Sequence, residues 1–340
     1  MKSKIILTGV AMIFTTLLAG CNSHPSFKTS DEAIDACKNE LVELRDKKDV
    51  DIKALTEIAS SWLELQDSSY SVFSKDSSVT LKSPTALAFF LVSDSIKAEI
   101  RRLALATPRS MKDVMYLKVN AVRGRNKIEK SETYKDAVAF YEKLDDVAPI
   151  ENVDVILSTY MKVLRSSSKG FKKEQDLINF LAAEDKCFRS LMLHLSDVNT
   201  EKLQVLTQAT GEIFDKFYPV IGSRQNALND RTMLYLTMRF NRRVVQNALA
   251  CKDDVETGKN LTRDQKANYK WMLIQPYIAI DDYSTAVLTD KQRKQLIDLS
   301  VKLPELLQKL DSGKEQMDSE ENLTKVLSTY FLKSYLNTTL

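Results

Sequence analysis

The sequence predicts an all-α protein, an irregular array of about eleven helices arranged as antiparallel hairpins. Three observations predict it. Glycine (8) and proline (7) are scarce in 340 residues, so the turns that sheet-rich and loop-rich folds need are undersupplied. Apolar residues recur in steps of three and four along most of the chain. Helix-start signals also recur, while the β-branched patches Ile156-Leu157 and Val244-Val245 sit inside longer stretches of helical period.

The first helix opens at Thr29-Ser30-Asp31-Glu32. This has capping-box spacing, with Glu32 expected to reach back to the Thr29 N–H. Ile34, Cys37, Leu41 and Leu44 then form a single apolar stripe. A second helix is expected over 52–74, with Ile52, Leu55, Ala59 and Trp62 inward, and a loop over 75–82. Ser83-Pro84 reads as N-cap and first-turn proline of a helix to about residue 106, in which Phe89-Phe90-Leu91-Val92 suggests deep burial. Thr107-Pro108 repeats that signal for a helix to about 123, closed by Gly124. Helical patterns follow over 132–145, 150–166, 172–196, 200–218 and 228–251. Capping boxes at Thr262–Gln265 and Thr289–Gln292 start helices over 263–281 and 290–310, and Pro304 is expected to kink or divide the second. Asp318 with Glu321 opens a last helix carrying Leu323, Val326, Leu327 and Tyr330. Helix pairs recur at loosely similar spacing, but the fixed Trp, Leu-Gly and Tyr offsets of tetratricopeptide repeats are absent. Candidate subdivisions lie at 167–173, beside the Ser166–Gly170 run, and at 252–261.

The N-terminus is built differently. Met1-Lys2-Ser3-Lys4 is a short basic start, and Ile5 to Leu18 is an apolar run of 14 residues. That run is too short to span a bilayer comfortably and suits a signal-peptide core. It ends in Leu18-Ala19-Gly20-Cys21, which resembles the bacterial lipobox, where small residues precede the cysteine. The resemblance covers about 21 residues and implies that residues 1–20 are a cleaved lipoprotein signal peptide. It also implies that Cys21 becomes the new N-terminus and carries thioether-linked diacylglycerol and fatty acid such as palmitate. The resemblance implies a lipid-anchored place in the cell envelope. Asn22 stands where Asp commonly signals inner-membrane retention in enteric-type bacteria, so for a Gram-negative host the outer membrane is favoured. Residues 21–28 form a short tether. Seven extended residues reach roughly 25 Å, which keeps the helical domain, 29–340, close to the membrane.

Charge gives no strong field. The formal charge is +3, and losing Lys2 and Lys4 with the signal leaves 47 basic against 46 acidic residues, or +1. Together with export, this argues against a nucleic-acid partner. Cys37, Cys187 and Cys251 permit at most one internal disulfide and lie in helical patterns where cysteine packs as a small apolar residue.

Candidate chemistry is sparse. Histidine occurs at His24 and His194 alone, which leaves few catalytic triads or histidine-rich zinc sites open. Ser166-x-x-Lys169 lacks the Ser-Asp-Asn and Lys-Thr-Gly elements that Ser-x-x-Lys chemistry requires. Asp46–Glu57 has the length of a calcium loop, but Asp51 stands where glycine must make the turn. No cofactor or metal is therefore expected. Adjacent acids occur at Asp145-Asp146, Asp253-Asp254 and Asp281-Asp282, the first two pairs reading as solvated helix-end acids. Trp271, Gln275, Tyr277, Asp281, Asp282 and Tyr283 gather aromatics and acids near one helix end, a mixture suited to a ligand groove. Arg239, Arg242 and Arg243 form the densest basic group in a helix, a candidate contact for anionic headgroups or an acidic partner. Three function classes follow: a non-enzymatic module that binds an envelope protein partner or scaffolds a complex, a ligand- or glycan-binding module, and an enzyme whose carboxylates converge only in the fold.

Overall fold

The computed structural model describes residues 25–107, 110–122, 124–215, 231–280 and 282–310. Among them are thirteen α-helices, a 3-10 helix at Leu195–Asp197 and no strand, as the sequence predicts. The chain forms two units, one of residues 1–49 and 58–104, the other of 50–57 and 105–340. Neither candidate subdivision coincides with this division. Both lie inside the second unit, one at the end of α7 and the loop after it, the other over the last turn of α10 and the loop after it.

The first unit is built from α1 (Ser30–Asp46), most of α2 (Ile52–Phe73) and most of α3 (Pro84–Ala106). Thr29 caps α1 by accepting the Glu32 N–H at 3.2 Å. The expected return bond differs: Glu32 accepts the Lys28 N–H at 2.8 Å, one residue earlier than a capping box places it. Ser30 at the head of α1 donates to Asp76 just beyond α2, and Cys37 meets Ser69, so α1 and α2 run antiparallel. Phe89 of α3 packs edge-on against Tyr70 and Phe73, closing an antiparallel α2–α3 hairpin. Arg102 of α3 donates to the carbonyls of Leu44 and Lys47, satisfying acceptors at the C-terminal end of α1. Trp62, Phe89 and Ile96 lie in this interior. Burial is not continuous through Phe89–Val92: Phe89 and Val92 are inside, Phe90 is half-buried, and Leu91 is 71% exposed. A helix turns 100° per residue, so four consecutive apolar residues cannot all face one core.

The second unit holds α4 (Met111–Asn120), α5 (Arg125–Glu129), α6 (Glu132–Asp145), α7 (Val153–Ser167), α8 (Glu174–Leu193), α9 (Thr200–Asp215), α10 (Arg231–Glu256), α11 (Arg263–Ala279), α12 (Asp282–Ala286) and α13 (Asp290–Leu310). The expected start at Thr107-Pro108 is displaced. Ser110 caps α4 through a reciprocal box with Asp113, while Thr107 donates its hydroxyl to the Val50 carbonyl; Pro108 lies outside the described residues. Gly124 sits at φ +65°, a left-handed turn that leads into α5 rather than closing α4 directly. The boxes at Thr262–Gln265 and Thr289–Gln292 form as expected. The helix opened by Asp318 lies outside the described residues.

Helix α10 is the hub. It packs against α6, α8, α11, α12 and α13, and its residues 233–238 are buried in an unbroken run, as befits a helix surrounded on all sides. Helix α7 pairs with α8, and α4 with α13. Pro304 does not divide α13. An interior proline costs about 3 kcal/mol. Leu299, Leu303, Leu306, Leu307 and Leu310 are all buried along the same helix, each contributing roughly 1.5–3 kcal/mol, so packing outweighs the break.

Candidate functional site

The second unit's most concentrated chemistry is an ion-pair network where α10 crosses α8. Helix α8 buries Leu177, Leu181, Phe188 and Leu191 in steps of three and four, and Glu184 occupies the matching position between them. Its side chain is 1% exposed. A buried carboxylate needs partners, and Glu184 has three. Tyr160 of α7 donates its hydroxyl at 2.5 Å. Arg239 donates Nε at 3.2 Å and Nη2 at 3.0 Å, a two-pronged contact. Arg243 donates Nη2 to the same carboxylate and, at 3.0 Å, to the Tyr160 hydroxyl. The Arg243 guanidinium also lies 3.3 Å from the centre of the Phe188 ring. Burial pushes its pKa below the usual arginine value, though guanidinium stays protonated under any ordinary condition.

A second branch continues from the next residue. Asp185 accepts from Arg242 at 2.8 and 3.3 Å, and Arg242 also donates to Asp145 at 2.7 Å. Lys291 at the head of α13 reaches Asp145 at 3.2 Å, and Arg189 approaches it at 3.9 Å. Burial raises the Asp145 carboxyl, but Arg242 and Lys291 together outweigh it and hold the group below its ordinary pKa. Five cations therefore meet three carboxylates and tie α6, α7, α8, α10 and α13 together.

Arg239, Arg242 and Arg243 are accordingly not an outward basic contact. Their side chains are 12–13% exposed and turn toward acids of their own unit. The pairs Glu184–Arg239 and Glu184–Arg243 lie 55 and 59 residues apart in sequence, so no local spacing reveals them. The sequence reading missed Glu184, Asp185 and Tyr160. One signal was available: an acid in the apolar register of α8. Asp145, expected as a solvated helix-end acid, is instead a junction of the network.

The proposed groove residues separate. Trp271 is 57% exposed and Tyr277 is buried, because a step of six helical residues turns a side chain about 120° around the axis, onto a different face. Among the described residues the Tyr277 hydroxyl has no hydrogen-bond partner, and the Tyr277 carbonyl accepts from buried Lys118 at the C-terminal end of α11. Gln275 is half-buried, one turn from Trp271. Asp281 and the side chains of Asp282 and Tyr283 lie outside the described part, as do Cys21 and His24.

His194 ends α8 and lies 3.6 Å from Asp197 in the following turn. Ser166 donates to the Val163 carbonyl, and Lys169 stands exposed in the next loop. Asp51 caps α2 by accepting the Ala54 N–H at 2.7 Å. The thiols of Cys37, Cys187 and Cys251 are free and buried. Among the described residues no group of three or more His, Cys, Asp or Glu side chains is arranged to hold a metal ion.

A pocket of about 90 Å³ lies beside the network, between α6, α10 and the start of α13, lined by Tyr141, Asp145, Met238, Arg242, Gln246 and Lys291 among others. It is well below the roughly 300 Å³ of even a small ligand pocket. Of the described groove residues, Trp271, Gln275 and Tyr277 do not line it. Compared with known proteins, the chain matches no family model, no curated protein and no solved structure.

Proposed function

We propose that the protein is a lipid-anchored envelope lipoprotein whose helical body is a non-enzymatic protein-binding or scaffolding module. The observation that carries this reading is the order of features at the N-terminus: Lys2 and Lys4, the apolar run to Leu18, then Ala19-Gly20-Cys21 and a tether ending by Lys28. In a Gram-negative host of the enteric type, Asn22 favours the outer membrane.

Two structural features support a binding or scaffolding body. The carboxylates of the network have their oxygens occupied by arginine, lysine and tyrosine donors, which suits them to fixing helices in place. On α11, Trp271, Gln275 and Ile278 follow at i, i+4 and i+7, with Trp271 57% and Ile278 40% exposed. An exposed tryptophan on a rigid helix is the kind of anchor that dominates protein interfaces.

The test has two arms. Cys21→Ser should abolish incorporation of labelled fatty acid and release the protein from the membrane fraction. A photo-crosslinking residue at position 271 of the anchored protein should capture one reproducible envelope protein, and the same residue at exposed Glu142 should not. Capture of lipid and self alone would remove the adaptor role.

A further inference from the structure

The end of the first unit from which the chain leads back toward Cys21 also carries the most exposed large apolar side chain among that unit's described residues. Leu81 is 81% exposed in the loop between α2 and α3. Leu87 and Leu91, 53% and 71% exposed, follow one helical turn apart on α3. The loop is not free to wander. Asp76 accepts from Ser30 at the head of α1 at 2.7 Å and from Ser78 at 2.6 Å. Backbone bonds from Val79 to Asp76 and from Ser83 to Thr80 tighten it further. Leu81 is five residues from Asp76 and so lies within roughly 17 Å of the residue that Ser30 holds at the head of α1. Cys21 is nine residues before Ser30 and can stand at most roughly 30 Å from it.

We infer that the α2–α3 loop docks on the bilayer surface, with Leu81 inserted at the boundary between headgroups and acyl chains. The inference rests on the lipid-anchored reading, because acyl chains at Cys21 hold a lipid surface within reach of the loop at all times. The occupant is lipid because the anchor itself brings it there. Charge indicates how the contact is made. Lys28, Lys75 and Lys82 are balanced by Asp31, Glu32 and Asp76, so the end is formally neutral. Apolar insertion, not attraction to anionic headgroups, drives the docking.

The test uses the full acylated protein in phosphatidylethanolamine–phosphatidylglycerol vesicles, with an environment-sensitive fluorophore on Thr80→Cys. Thr80 is exposed beside Leu81, and the native thiols Cys37, Cys187 and Cys251 are buried, which directs labelling to the new cysteine. The probe should emit to the blue and be quenched by lipids bearing a shallow nitroxide, and neutral phosphatidylcholine vesicles should give the same result. Leu81→Ser should lower the docked-to-undocked ratio roughly ten- to a hundredfold. Mass spectrometry of the same sample reports the acyl chains. An acylated protein whose probe stays in water overturns the docking and leaves the anchor standing. So does a dry probe that lipid nitroxides fail to quench, because a protein would then cover the loop. A protein without acyl chains overturns the anchored reading itself.

Discussion

Replacing Glu184 by glutamine keeps the side chain's size and removes its charge. The structure sets the consequence. Arg239 and Arg243 are each 13% exposed, and both point at a carboxylate that is 1% exposed. At an effective dielectric of about 20, two unit charges about 3 Å apart attract by about 5 kcal/mol. Most of that attraction offsets the cost of taking the charges out of water. Losing one partner leaves that cost uncompensated, and breaking buried ion pairs in this way destabilises by about 3–5 kcal/mol. The glutamine amide also turns N–H groups toward arginine donors, which adds to the penalty. Glu184→Gln should therefore lower unfolding stability in urea, followed by circular dichroism at 222 nm, by at least about 3 kcal/mol. Glu142→Gln is the control, since Glu142 is exposed and its change should stay within about 0.5 kcal/mol. Glu184→Leu combined with Arg239→Met and Arg243→Met removes all three charges together and should recover much of the loss. A Glu184→Gln shift below about 1 kcal/mol would refute the account of a desolvated, mutually dependent triad.

Three further outcomes follow from particular contacts. Glu256 is held at a pKa of about 2 by hydrogen bonds from Lys252 and Lys302, so carboxyl NMR should place its titration there, and Lys302→Ala should raise it. Because the folded value is depressed, this group's contribution to stability is complete above its unfolded pKa of about 4.3 and is lost as pH falls toward 2. Burial pushes the Cys37 and Cys187 thiols up to about 11 and Cys251 higher still, so at pH 8 a thiol reagent should modify none of the three until denaturant is added. Ser110→Ala removes the hydroxyl half of the α4 capping box and should cost about 1 kcal/mol in the same urea titration, whereas Ser166→Ala, on an exposed helix end, should change little.

Helix type and position were legible because their causes are local. Glu132–Asp145 and Asp290–Leu310 form where the apolar period and cap residues place them, and the Thr262 and Thr289 boxes close through atoms three residues apart. Local reasoning failed where a contact distant in sequence fixed a residue in another role. Thr107 has the chemistry of an N-cap, but its hydroxyl goes to Val50, 57 residues away, and Ser110 takes the cap. The short helices α5 and α12 span five residues each, too few for a period to emerge.

The arginine cluster shows the same division at the level of the site. Counting charges on α10 finds three cations close together, and on an isolated helix they would face water or an anionic partner. What turns them inward lies on other helices: Glu184 and Asp185 on α8, Tyr160 on α7, and Asp145 at the end of α6. None is within 50 residues of its arginine. The legible trace was Glu184 itself, a charge placed in a stripe of Leu177, Leu181, Phe188 and Leu191. A carboxylate in that register must either be met by buried donors or abolish the packing of its helix. The cations of α10 meet that need, and they are therefore already engaged and poorly placed to grip a membrane. The bilayer contact inferred above rests instead on exposed Leu81, in a loop whose own charges balance.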